Sequence, residues 1–141
     1  MPAARILIAA SEGAIDQLSD LLSGYSLCTS TTLEEAMKFL LHNEFDLVIC
    51  GAHFDESRAL EFINFMRSDA GNKEAPCVVY QYKQTKLHEM TTKSLLAVKE
   101  ALNIKSIIDL KELEHNEQTL RERLEDLIPE AKVIRNDIHN N

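Results

Sequence analysis

Short apolar runs alternate along the chain with longer segments in which apolar residues recur every three or four positions. Continuous apolar residues are typical of strands that are covered on both faces, as in a parallel sheet. The three unbroken runs are residues 5–10, 46–51 and 77–82, and the two weaker runs are residues 25–30 and 106–109. The pattern therefore predicts five buried strands.

The segments between the runs have the periodicity of amphipathic helices. Ser11 is a candidate N-cap for the first helix. Thr32 opens a capping box in which its hydroxyl and the Glu35 carboxylate each accept a free backbone N–H, so the second helix should begin there. The remaining periodic segments lie at about 57–68, 90–101 and 113–127, and Pro129 should end the last of them.

Strand and helix thus alternate five times, which predicts an α/β fold with a doubly wound, five-stranded parallel sheet and helices on both of its faces. The length of 141 residues suits one domain, which we expect over residues 4–129, followed by a tail at 130–141. The apolar N-terminal run is too short for a signal peptide or a membrane span. We therefore expect a cytoplasmic location and no contact with membranes.

Composition narrows the classes of function. The net charge is −8, and the basic residues are scattered among acidic ones. Because binding to a phosphate backbone requires a positive surface, a nucleic-acid partner is not expected. The cysteines Cys28, Cys50 and Cys77 have no metal-ligand spacing, and each lies in a predicted strand, so we expect buried free thiols.

The order and length of the elements resemble the receiver domain of bacterial response regulators, over residues 4 to about 129. Residues 5–12 are similar to the apolar first strand of that family and the acidic residues that end it. Residues 44–51 resemble its third strand, where Asp46 matches the aspartate that commonly opens the strand, and Pro76 matches the proline before the fourth. The resemblance implies a flavodoxin-like, CheY-like (βα)5 fold with strand order 2-1-3-4-5.

The resemblance also implies where the phosphotransfer residues of receivers would fall. Receivers move a phosphoryl group onto an aspartate beside a Mg²⁺ ion, and the acceptor position falls on Gly51. The acidic pair that holds the ion falls on Ala10 and Ser11, and only Glu12 remains nearby. Since Mg²⁺ prefers several charged oxygen ligands, we expect no metal, no other cofactor and no catalytic residue at these positions.

The switch positions of the family are altered as well. The Ser or Thr after the fourth strand corresponds to Gln81, and the aromatic switch residue of the fifth strand falls near Ile107. The lysine after the fifth strand corresponds to Leu110, with Lys111 one place further on. The segment 82–90 is longer than is usual in receivers, and it is either a partner-specific feature or a neutral surface insertion.

These positions lead to a main hypothesis of a pseudo-receiver, a non-phosphorylatable module that binds a signalling protein such as a kinase or an output domain. The family's usual partner and dimer surface comprises the fourth helix, fifth strand and fifth helix. Here that surface would include Lys93, Glu117, Arg121 and Glu125. The last three, at i, i+4 spacing, also suit a solvated helix face paired with itself.

Two alternatives remain open. A small ligand, such as a nucleotide or flavin, could replace phosphate at the loop 9–13, although Glu12 there would repel phosphate. The other alternative is that Asp55 is a displaced phosphoacceptor. The structural interpretation of the same segment is that Asp55 or Ser57 caps the third helix.

Overall fold

The computed structural model describes residues 4–68, 72–81, 93, 95–109 and 117–128. The strands are β1 (Arg5–Ala9), β2 (Ser26–Ser30), β3 (Leu47–Gly51), β4 (Cys77–Gln81) and β5 (Ile104–Asp109). The helices are α1 (Glu12–Leu21), α2 (Leu33–His42), α3 (Phe54–Ser57), α4 (Ala59–Ser68), α5 (residues 95–98) and α6 (Glu117–Glu125). The predicted insertion at 82–90 and the predicted tail at 130–141 lie outside the described residues.

The five strands form one parallel sheet in the order β2-β1-β3-β4-β5, which confirms the predicted fold class. β3 is central, and its Ile49 lies opposite Ile8 of β1 and Val78 of β4. Within the described part of the chain, no helix has both the length and the apolar character needed to cross a membrane.

Two apolar cores cover the sheet, one on each face. Alternate strand residues supply them, because successive side chains of a strand point to opposite faces. Val48 and Cys50 of β3 belong to the core under α2 and α4, whereas Leu47 and Ile49 belong to the core under α1 and α6. All five residues of β3 are buried, so this strand is the shared centre of both cores.

Two helix starts that were predicted from sequence are present with their caps. The Ser11 side chain accepts a hydrogen bond from the backbone N–H of Ala14, and the Thr32 side chain accepts one from that of Glu35. The second half of the predicted capping box differs, since the N–H of Thr32 donates to Ser30 Oγ at 3.2 Å and not to the Glu35 carboxylate.

The third predicted helix, at about 57–68, corresponds to α4, and the structure has an additional short helix, α3, before it. Helix α3 ends at Ser57, Arg58 is its C-cap, and α4 begins at Ala59. Asp55, the second residue of α3, has a φ of 43°, in the left-handed region. The Phe54 and Phe62 rings meet edge to face with their centroids 5.7 Å apart, so α3 nevertheless packs on α4.

Buried polar side chains join the segments at the amino-terminal edge of the sheet. Asn72 is 4% exposed, and its amide donates to the carbonyl oxygens of Leu40 and Asn43 at 3.0 and 2.8 Å. Its Oδ1 accepts the backbone N–H of Phe45 at 2.7 Å. One side chain therefore connects the end of α2, the approach to β3 and the turn before β4.

Arg67 joins the two segments that precede β4 and β5 at the same edge of the sheet. Its guanidinium donates to the carbonyl oxygens of Lys73 and Ala75, which precede β4, at 2.8 and 2.7 Å. It also donates to those of Leu102 and Asn103, which precede β5, at 2.8 and 2.9 Å. The planar fork of arginine suits this role because it offers several donors in fixed directions.

Replacement of Asn72 should destabilise the fold strongly. Asn72→Ala leaves one buried N–H and two carbonyl oxygens without their partner, and we expect the free energy of unfolding to fall by about 2–3 kcal/mol. Urea unfolding measures this change. Asn64→Ala, at an exposed position of α4, is the matched control and should change the value by less than about 0.5 kcal/mol. Equal stability of the two variants would contradict the role of Asn72.

Candidate functional site

The carboxyl ends of β1, β3 and β4 lie side by side at one edge of the sheet, where ligands bind in open α/β folds. Gly51 ends β3 opposite Tyr80 of β4, and Ala10 directly follows β1. Gln81, the last residue of β4, is one place beyond Tyr80. The structure thus places Ala10, Gly51 and Gln81, three of the positions that the resemblance implied, at this edge.

Gly51 and Ala10 are in close contact. A Cβ atom built on Gly51 would lie 3.1 Å from Ala10 Cβ and 3.3 Å from Ala10 Cα. Both distances are shorter than ordinary van der Waals contact, and Ala10 has no flexible side chain that could turn away. A side chain at position 51 would therefore require residue 10 to move by a few tenths of an ångström.

Ser11 and Glu12 belong to the start of α1. Ser11 Oγ accepts the N–H of Ala14 at 3.4 Å, and its carbonyl oxygen accepts the N–H of Ile15 at 2.9 Å. Glu12 is the exposed first residue of the helix, where a carboxylate interacts favourably with the positive end of the helix dipole. Both side chains are thus suited to stabilising the helix end.

Gln81 and Ile107, which the resemblance assigns to the switch positions of the family, differ in how far they are buried. Gln81 is only 2% exposed. Ile107, on β5, is partly buried and packs against the core that lies under α2 and α4. Leu110 and Lys111 lie outside the described residues.

Asp55 connects two elements that are distant in sequence. Its Oδ2 accepts the backbone N–H of Leu33, the first residue of α2, at 2.8 Å, and it lies 3.8 Å from the guanidinium of Arg58. The sequence predicted that Asp55 or Ser57 caps the helix at about 57–68, but the Asp55 carboxylate binds α2 instead, and the side chain of Ser57 lies outside the described residues. The left-handed backbone at Asp55 accompanies a carboxylate that reaches α2 instead.

The residues proposed from sequence as a partner surface occupy different environments. Lys93 is exposed. Arg121 and Glu125 pair with each other at 3.5 Å, and their side chains are only 20% and 18% exposed. The self-paired arrangement that the i, i+4 spacing allowed is therefore present for these two residues. The side chain of Glu117 lies outside the described residues.

Arg121 and Glu125 also contact α1 and the residue before β2. Arg121 donates to the carbonyl oxygen of Leu21 at 2.7 Å, and its guanidinium lies 5.7 Å from the centroid of the Tyr25 ring. The Tyr25 hydroxyl donates to Glu125. Sequence reasoning missed Tyr25, because Tyr25 and Glu125 are 100 positions apart and no local pattern connects them. The cluster holds the end of α6 against the end of α1.

The thiols of the strands are not poised for chemistry. Cys50 and Cys77 are buried, Cys28 is partly buried, and all three are free, as predicted. Burial raises the pKa of Cys50 well above its usual range, with a smaller contribution from Cys77. Burial also raises the pKa of Cys77 to about 12, against the opposing effect of Arg67. Both thiols are therefore protonated at neutral pH, whereas the thiolate is the nucleophile and the metal ligand.

Histidine, cysteine and carboxylate side chains are dispersed. In the segments that the structure describes, no three of them lie together in a group that could hold a metal ion.

No protein-family model and no curated protein matches the chain. Solved structures do. A response regulator from Thermotoga maritima is 17% identical with a TM-score of 0.67, and the match covers 89% of this chain and 98% of that one. A chemotaxis response regulator of Vibrio cholerae is also 17% identical with a TM-score of 0.67, and the match covers 91% of this chain and 100% of that one.

A third similar structure is the receiver domain of a sensor histidine kinase from Pseudomonas aeruginosa, which holds a magnesium ion in its active-site cleft. It is 10% identical with a TM-score of 0.67, and the match covers 89% of this chain and 97% of that domain. At such identities the likeness establishes the receiver fold, and the chemistry has to be inferred from the residues of this chain.

The contact between Gly51 and Ala10 predicts a coupled effect on stability. Gly51→Ala should lower the free energy of unfolding by about 1–3 kcal/mol, because the new methyl group overpacks the edge. In the Ala10→Gly background the same substitution should cost less, since the opposing methyl group is absent. Denaturant unfolding of the four proteins of this double-mutant cycle measures the coupling. Strictly additive effects would show that the two residues do not crowd each other.

Proposed function

We propose that this protein is a receiver-fold module of bacterial signal transduction that binds another protein and does not accept a phosphoryl group. The observation that carries the proposal is the packing of Ala10 against Gly51 at the carboxyl end of the central strand. That end of the strand is the position of the acceptor carboxylate in the family that the chain resembles.

The neighbouring groups support the same conclusion. Transfer of a phosphoryl group to a carboxylate requires a nucleophilic oxygen and a cation that neutralises the developing charge. Here the methyl group of Ala10 and the helix-capping hydroxyl of Ser11 stand where carboxylates would hold such a cation. Of residues 10–12, Glu12 alone carries a carboxylate, and it lies in the first turn of α1.

The displaced acceptor Asp55 is the other phosphorylatable candidate. One of its oxygens already accepts the N–H of Leu33, and Arg58 lies near the same oxygen. Attack on a phosphoryl donor would compete with these interactions. We therefore place Asp55 among the structural residues and use it as a diagnostic in the test below.

The phosphoryl test uses acetyl phosphate and Mg²⁺. We expect the mass of the intact protein to stay unchanged, while an active receiver treated in parallel gains a phosphoryl group. The physical reason is that, among the residues that the structure describes at this edge, Gly51 and Ala10 carry no carboxylate and no three side chains form a group that could hold a cation. A phosphoryl adduct that hydroxylamine cleaves, as it cleaves an acyl phosphate, would overturn the proposal, and its loss in Asp55→Asn would assign it to the displaced acceptor.

We place the partner surface on α5, β5 and the exposed side of α6. Lys93, Leu96 of α5, Lys105 of β5 and Arg123 of α6 are exposed, and Leu96 is 56% exposed although it is a large apolar residue. Arg121 and Glu125 are occupied by the contacts with α1, so within α6 we assign the surface to residues such as Arg123. The partner is a signalling protein, either a kinase or an output domain, or a second copy of this chain.

Substitution of Leu96 tests this surface. Leu96→Asp should weaken binding about tenfold or more, because burial of a leucine side chain contributes about 1.5–3 kcal/mol to association. Capture of the partner from the native host by immobilised protein measures the loss, and sedimentation equilibrium detects a second copy.

The matched control is Leu41→Asp on α2, since Leu41 is also 56% exposed. It should leave both measurements unchanged. If the two variants bind alike, or if Leu41→Asp has the larger effect, the surface lies elsewhere.

A further inference from the structure

The loop that leaves the functional edge of the sheet is tied to a helix far away in sequence. Residues 52–58 follow β3 and include α3. Asp55, in this loop, accepts the N–H of Leu33 at a separation of 22 positions. Leu33 and Phe54 are both buried in the same core, so an apolar contact region and a hydrogen bond join the loop to α2.

The hydrogen bond satisfies a group that helices leave without a partner. The first N–H groups of an α-helix have no acceptor within the helix. In α2, Thr32 Oγ1 takes the N–H of Glu35, and Asp55 takes that of Leu33. A carboxylate is well suited to this end of a helix, because the backbone dipoles make it positive.

The backbone of Asp55 is held in the geometry that this reach requires. Within the described residues, Asp55 and Asn103 have a positive φ without being glycine. Asn103 ends a helical segment, as shown by the bond from Ile104 N to Lys99 O at 2.9 Å, so local structure explains its conformation. Asp55 follows a strand and not a long helix, so its tertiary contacts must maintain its conformation.

We propose that Asp55 is a conformational clasp that fixes the loop 52–58 against the start of α2 and holds this edge of the sheet in one conformation. The clasp acts on the position of the loop and contacts no ligand. When the bond is broken, the loop and the first turn of α2 open together. The inference is independent of the proposed function, because it concerns the coupling of two segments and involves no phosphoryl donor or partner.

Amide hydrogen exchange measured residue by residue by NMR tests the clasp. Asp55→Gly removes the carboxylate but permits the positive φ, so backbone strain does not contribute to any change. We expect the Leu33 amide to exchange at least about tenfold faster, and the amides of the loop 52–58 to lose protection with it. Asp55→Asn keeps an acceptor oxygen and a residue type that tolerates this φ, and it should restore protection to within about threefold of the original protein.

The control removes a different carboxylate that pairs with the same arginine. Glu61 lies 2.9 Å from Arg58, and Glu61→Gln alters the charge near the loop without touching Leu33. It should leave the exchange of Leu33 unchanged. The clasp is refuted if Asp55→Gly leaves the Leu33 amide protected, if only one of the two segments responds, or if Glu61→Gln has the same effect.

Discussion

The burial of the parallel sheet on both faces is the constraint on which the rest of this structure depends. β3 shows it most clearly, because every one of its residues is buried and its side chains alternate between the two cores. A strand in this position cannot present a polar side chain to either face without a partner. The polar chemistry of the protein is therefore confined to the ends of the strands and to the surfaces of the helices.

At the carboxyl ends of the strands, the space available for side chains is limited as well. Ala10 packs on the backbone of Gly51, so the edge at which a receiver carries out phosphotransfer is here occupied by apolar contact. Ser11, directly beside it, is used to cap α1. The edge keeps the shape of the fold while its polar groups stabilise the ends of helices.

Much of the remaining polar content joins segments of the chain. Asn72 and Arg67 satisfy carbonyl oxygens at the amino-terminal edge of the sheet, and Asp55 satisfies a helix N–H at the other edge. Arg121 and Glu125, together with Tyr25, connect the last helix to the first. These side chains hold the described segments of the chain in one arrangement.

The class of fold follows from the sequence alone, because an unbroken apolar run or a helical periodicity depends only on residues that are neighbours along the chain. The sequence likewise determined the caps at Ser11 and Thr32, whose partners lie three residues away. Only the tertiary structure decided that Asp55 binds α2, that Arg121 and Glu125 face α1 and Tyr25, and that Ala10 fills the space beside Gly51. These contacts join residues that are 22, 100 and 41 positions apart in sequence. Such residues become neighbours only when the chain folds, so no local sequence pattern indicates that they meet.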